Sequence, residues 1–211
     1  MELLSTFFMG AVISGGLIVA IGSQNAFLLK AGLTRNHPFA AATVCFVGDI
    51  LLIGAGVFGV GALFALESIW GLLLSVAGAL FLLWYGTNAL KVARVGDSKL
   101  NVANDDTAKT SLKATLGMAF AMTFLNPHVY IDTVVLVGGV TASLEDSLRP
   151  WFVAGALLAS ATWFYSLVFV AKKLSGVLNK PKAWRIINTF IGLLMYLIAA
   201  KLLYDAAQAW L

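Results

Sequence analysis

The sequence predicts an all-α, polytopic membrane protein of six transmembrane helices, arranged as an inverted 3+3 repeat in which helices 1 and 4 are broken. Three observations carry this expectation. Apolar residues make up 60% of the 211-residue chain and charged residues only 11%, against about 25% charged in a soluble domain. Mean hydropathy is +0.91, and a soluble globule of this size has too little interior to hide so much apolar surface. The apolar residues gather in six long runs, and the basic residues gather in every second connection between those runs. The same composition excludes disorder, coiled coil, collagen and a disulfide-rich scaffold.

The runs lie at about 3–29, 39–66, 69–90, 112–142, 150–171 and 184–208. Each exceeds the ~20 residues needed to cross ~30 Å of hydrocarbon. Lipid leaves only helices or a closed barrel, and continuous apolar runs lack a barrel's alternation. The first run starts at Met1-Glu2-Leu3-Leu4, with no basic segment ahead of it and too much length for a signal peptide, so it reads as a retained span. Inside it stands the polar group Gly22-Ser23-Gln24-Asn25. The second run carries Asp49 about ten residues in, ~15 Å along a helix. The third is unbroken.

The longest polar stretch, 94–111, follows and divides a single transporter domain into halves of three spans, about 1–93 and 112–211. An odd number of spans per half inverts the second half relative to the first, an arrangement common in transporters. The fourth run is about 46 Å long at 1.5 Å per residue, too long for one straight upright crossing. It contains Asn126-Pro127-His128 at a depth similar to that of Gly22 in the first run. Proline breaks a helix unless it starts one, and asparagine is a good N-cap, so Asn126-Pro127 reads as the start of a half-helix inside the membrane. The competing reading is a plain proline kink. Asp132 follows one turn after His128, on the same face at i, i+4 spacing. The fifth run is uninterrupted, and the sixth contains Lys201, which is expected to snorkel or to pair.

Charge sets the orientation. Twelve of the fourteen basic residues lie in the first, third and fifth connections: Lys30 and Arg35; Lys91, Arg94, Lys99, Lys109 and Lys113; Lys172, Lys173, Lys180, Lys182 and Arg185. The opposite side carries Glu67, Glu145, Asp146 and Arg149. The positive-inside rule places the basic connections in the cytoplasm and both termini outside. The net charge of +4 and pI of 9.3 do not indicate nucleic-acid binding, because the basic residues punctuate apolar spans instead of forming a soluble face.

The chemistry concentrates at the two breaks and the two acids. Free N–H groups and a positive dipole end at Ser23–Asn25 and Asn126–His128 can receive a carboxylate. A mid-membrane Asp costs about 2.5–3.5 kcal/mol, so Asp49 and Asp132 are expected to face a cavity or a partner. Acids so placed can accept cationic groups of a ligand, and either is a candidate to carry a coupling proton. The competing reading is a buried acid paired with Asn25 or Gln24.

Other features are bland. Gly54-Ala55-Gly56-Val57-Phe58-Gly59 spells GxGxxG but lies within a span and reads as helix packing. Gly71/Ser75/Ala79 and Gly155/Ala159 read the same way, and His37 reads as a solvated loop residue. Two histidines and one cysteine, Cys45, suit neither a transition-metal site nor a disulfide, so no metal and no cofactor is expected.

Three segments, taken in order, resemble the lysine exporter (LysE-type) family, and most closely its arginine/lysine-exporting branch. They are Ile21 to Leu33, Cys45 to Asp49 followed by Leu51 to Gly59, and Thr123 to Thr133. Length, six spans and the central polar loop agree, so the similarity covers nearly the whole chain. The family reads Gly-Pro-Gln-Asn where this chain has Gly22-Ser23-Gln24-Asn25; serine keeps its N–H and can cap a helix instead of kinking it. The resemblance implies efflux of basic amino acids across a bacterial inner membrane, driven by a proton gradient or the membrane potential, by a homodimer. It implies substrate contacts at Ser23, Gln24, Asn25, Asp49, Asn126, Pro127, His128 and Asp132. Two rival classes stay open: an exporter of neutral amino acids or of a metal cation, and a membrane enzyme or thiol-relay protein. The second would need a nucleophile, a metal cluster or paired cysteines.

Overall fold

The computed structural model describes residues 1–19, 22–58, 69–95, 110–175 and 181–210, and every regular element among them is helical. In chain order these are α1 (Glu2–Ile18), α2 (Ser23–Leu33), α3 (Pro38–Val57), α4 (Ile69–Val95), α5 (Leu112–Phe124), α6 (Pro127–Tyr130), a π-helical turn (Ile131–Leu136), α7 (Val137–Thr141), α8 (Arg149–Leu174) and α9 (Pro181–Trp210). Most of the central loop 94–111 and the end of the second apolar run lie outside the described residues.

Four helices are each long and apolar enough to cross a bilayer: α3, α8, Leu72–Arg94 of α4 and Lys182–Gln208 of α9. The first apolar run is split. Helices α1 and α2 pass the same test only together and meet at 78°. The fourth run is also split, at Leu125-Asn126, into α5 and a second piece made of α6, the π turn and α7. Pro127 heads that second piece, where its missing N–H costs nothing.

Packing follows from small residues. Helices α1, α2 and α3 all lie against α8, α4 pairs with α9, and α5 and the segment 131–141 lie against α3. At the α1–α8 crossing a Cβ on Gly10 would overlap the Phe152 carbonyl oxygen, and one on Gly155 the Phe7 carbonyl oxygen. Bare backbone on both sides lets the helices approach to contact, the main source of helix association in lipid. The GxGxxG run behaves likewise. A Cβ on Gly56 would overlap the Thr133 carbonyl oxygen, whereas Gly54 has open space around it, and Gly59 lies outside the described residues.

Phe164, Leu28, Leu82, Met122, Ile191 and Met195 fill the largest buried cluster. Large apolar side chains such as Leu80, Trp84, Leu158, Phe190 and Leu197 point outward, a surface suited to hydrocarbon and not to water. The turn between α2 and α3 is tight. Arg35 (φ 53°) and the exposed His37 (φ 46°) both adopt the left-handed conformation that non-glycine residues rarely take. Arg35 Nε donates to Ser175 Oγ at 2.8 Å, which ties the turn to the end of α8.

Candidate functional site

The two helix interruptions meet in the interior. Asn126 Nδ2 donates to Ser23 Oγ at 3.1 Å, and Gln24 Nε2 donates to Thr123 Oγ1 at 3.1 Å. Each break is closed by a side chain reaching back from the following half-helix. Asn25 Nδ2 donates to the Ile18 carbonyl at 2.7 Å, and the Tyr130 hydroxyl donates to the Phe124 carbonyl at 2.9 Å. These are carbonyls at helix ends, which otherwise lack partners in a span. Trp163 Nε1 of α8 donates to Asn25 Oδ1 at 3.1 Å and fixes that amide.

Ser23 departs from its expected role. Gly22, with φ −111° and ψ −174°, holds the cap position; Ser23 is already the first helical residue and makes no side-chain cap bond. Its hydroxyl serves the other break instead, as acceptor from Asn126. Buried at 0% exposure, it stands behind the site wall and not in it.

Asp49 is 2% exposed, and its Oδ2 accepts from Ser160 Oγ of α8 at 2.7 Å. Gln24, a partner for the acid in the competing reading, bonds to Thr123, and Asn25 bonds to Ile18 and Trp163. Asp132 lies in the π-helical turn. Such wide turns are rare and concentrate at functional sites. Beside Asp132, the Thr133 hydroxyl donates to the Val129 carbonyl at 2.6 Å.

A cavity of about 280 Å³ lies between these elements. Gly22, Gln24 and Asn25 line it from the first break, and Asn126, Asp132 and Thr133 from the second. Asp49 joins from α3, and Ile198, Lys201 and Leu202 from α9. Five of the sequence-derived candidates therefore share one space: Gln24, Asn25, Asp49, Asn126 and Asp132. Pro127 and His128 open α6, and their side chains lie outside the described residues. Sequence reasoning missed Thr123, Ser160 and Trp163. A lone serine, threonine or tryptophan in an apolar run has no periodic signature of its own. Lys201 was expected to snorkel or to pair; it pairs with Asp205 at 2.6 Å, and its place in the cavity wall was not foreseen.

A helical membrane protein whose chamber gathers acids and amides between two interrupted helices has the architecture of a transporter. The chain belongs to the LysE type translocator family, whose model matches residues 16–206. It is thus a translocator and not an enzyme, as the resemblance implied. Among its relatives, the arginine exporter protein ArgO of Photorhabdus laumondii is 41% identical over 95% of this chain and 96% of its own length. ArgO of Yersinia enterocolitica is 40% identical over 95% and 97% of the respective chains. ArgO of Pectobacterium atrosepticum is 37% identical over 98% of both. No solved structure matches the chain.

Proposed function

We propose that this chain is a secondary transporter that exports basic amino acids, L-arginine and L-lysine, from the cytoplasm across a bacterial inner membrane. The cavity is the observation that carries the reading. It brings Asp49 and Asp132 together with the starts of two half-helices in one space of about 280 Å³, close to the size of a small-ligand site. The relatives named arginine exporters align over nearly the whole chain and support the substrate class. Asp49 and Asp132 accept the cationic groups, and either serves as the carrier of a coupling proton where a proton gradient, and not the membrane potential alone, drives export. Half-helix N–H groups at Ser23–Asn25 and at Asn126–His128 favour the α-carboxylate.

The membrane arrangement belongs to the same proposal: six spans in one domain, with halves 1–93 and 112–211 joined by a cytoplasmic loop 94–111 and both termini outside. The contact pattern supports an inverted repeat. Exchanging spans 1, 2 and 3 for 4, 5 and 6 turns the α1/α2–α8 contact into the contact of α5 and 131–141 with α3; both are present. The same exchange leaves the α3–α8 and α4–α9 contacts in place. The bilayer covers the outward apolar faces, and the assembly is a homodimer.

The test is export from cells loaded with an arginine- or lysine-containing dipeptide, with and without the protein. Faster appearance of the basic amino acid outside is the expected result. Equal efflux in both would refute the reading, and a preference for threonine or a divalent cation would move it to the rival exporter class.

A further inference from the structure

One group in the chamber wall has no part in the reading above. Lys201 lies nine residues before Trp210 in α9, ~14 Å from that end of the helix. The stretch around it, Lys182–Gln208, is apolar enough to span a bilayer. Ile198 and Leu202 line the cavity with it, while Leu197 and Tyr204 are exposed on the outer face. Lys201 therefore stands at the rim, where the chamber wall meets the apolar outer surface. Its side chain is 60% exposed, and its Nζ meets Asp205 Oδ2 at 2.6 Å.

Helix stabilisation does not account for this pair. An acid ahead of a base is the favourable i, i+4 order; here the base comes first and the acid stands nearer the helix C-terminus, against the dipole. Charges at such depth face a cavity or a partner, and Lys201 has both: it lines the chamber and meets Asp205. A half-exposed ion pair on a chamber rim is instead poised to exchange partners.

We propose that Lys201 and Asp205 form the subsite for the amino-acid head group, with the Lys201 ammonium taking the α-carboxylate and Asp205 the α-ammonium. This rests on the reading of the chain as a basic amino-acid exporter and refines it: Asp205 takes over the α-ammonium, leaving Asp49 and Asp132 to the side-chain cation and the coupling proton. The head group carries one charge of each sign side by side, complementary to the pair. Binding exchanges one internal ion pair for two external ones and brings no net charge to the rim. A sphere of 280 Å³ is about 8 Å across, so the side chain of a substrate whose head group is held at Lys201 extends inward across the chamber, toward Asp49 and Asp132. Lys201 adds a full charge to the partial ones at the half-helix starts.

The experiment compares arginine with agmatine, which keeps the guanidinium and lacks the carboxylate, using the full chain in proteoliposomes. Wild-type protein is expected to prefer arginine. In K201Q, arginine transport falls about tenfold, the value of one lost charge-assisted hydrogen bond. Agmatine transport holds or rises because a repelling charge has gone, so the preference collapses; K201R retains it. D205N keeps the preference for arginine over agmatine but loses discrimination against 5-guanidinopentanoate, which lacks the α-amino group. If K201Q does not reach the membrane, D205N decides alone, and unchanged discrimination there overturns the subsite. An unchanged arginine-to-agmatine ratio in K201Q also overturns it while leaving the exporter reading intact. Failure of wild-type protein to move arginine at all overturns both.

Discussion

Replacing Ser160 by alanine tests whether Asp49 must be held in place to work. The Ser160 hydroxyl is fully buried, and its 2.7 Å bond to Asp49 Oδ2 has the length of a charge-assisted O–H···O contact. It occupies one carboxylate oxygen of a residue that also lines the chamber. Alanine removes the donor without adding bulk, and at 2% exposure Asp49 has little water to turn to. Hydrogen bonds to charged groups contribute about 1.5–3 kcal/mol, which converts to roughly a 10- to 100-fold loss when the carboxylate must be reoriented for each substrate. The assay is arginine uptake into inside-out membrane vesicles, normalised to transporter content. S160A is expected to raise the half-saturating arginine concentration about tenfold or more, and S160T, which keeps the hydroxyl, to recover most of it. If S160A transports within twofold of wild type while D49N is inactive, α3 alone positions the carboxylate and the serine bond is dispensable.

Three further outcomes follow from the site and the packing. D49N and D132N each abolish or strongly reduce arginine export while the protein remains in the membrane; normal export by both would make the acids structural. G56A forces a Cβ onto the Thr133 carbonyl and is expected to destabilise by about 1–3 kcal/mol, read as lower thermostability in detergent together with reduced export. G54A, with open space around it, is expected to be neutral in both measurements. A cysteine placed in the 97–108 loop of a Cys45→Ala background should resist an impermeant thiol reagent added to intact cells, and ready labelling there would invert the proposed topology.

The parts of the molecule governed by hydropathy and backbone chemistry could be read from the residues. Apolar runs located the helices, and proline with its preceding asparagine located the second break, because both signals are local. Other features depend on what arrives from a distance. Ser23 looked like a cap, yet Gly22 takes the extended cap conformation and leaves the serine hydroxyl to Asn126. The partner of Asp49 comes from 111 residues further along the chain, in a helix where nothing local sets Ser160 apart. The π-helical turn around Asp132 packs against α3, and no motif in Ile131–Leu136 announces it. Lys201 reads in the sequence as snorkelling or paired, but its place in the chamber wall requires the other helices to be in position.

The bonds that close the chamber also bear on the order in which the protein is made. Gln24 waits for Thr123, Ser23 for Asn126, Asp49 for Ser160 and Asn25 for Trp163, across 99 to 138 residues. At roughly 5–20 residues per second of synthesis, that interval is about 5–30 s. For that time the earliest segments to leave the ribosome hold amides and a carboxyl whose permanent partners do not yet exist. Lipid offers them nothing, so they depend on water or on the insertion machinery until the fourth and fifth spans arrive. A substitution at Ser160 or Trp163 thus acts on a segment synthesised long before it. Part of its effect is expected as rapid loss of newly made chain in a pulse-chase measurement, distinct from slower transport by the molecules that survive.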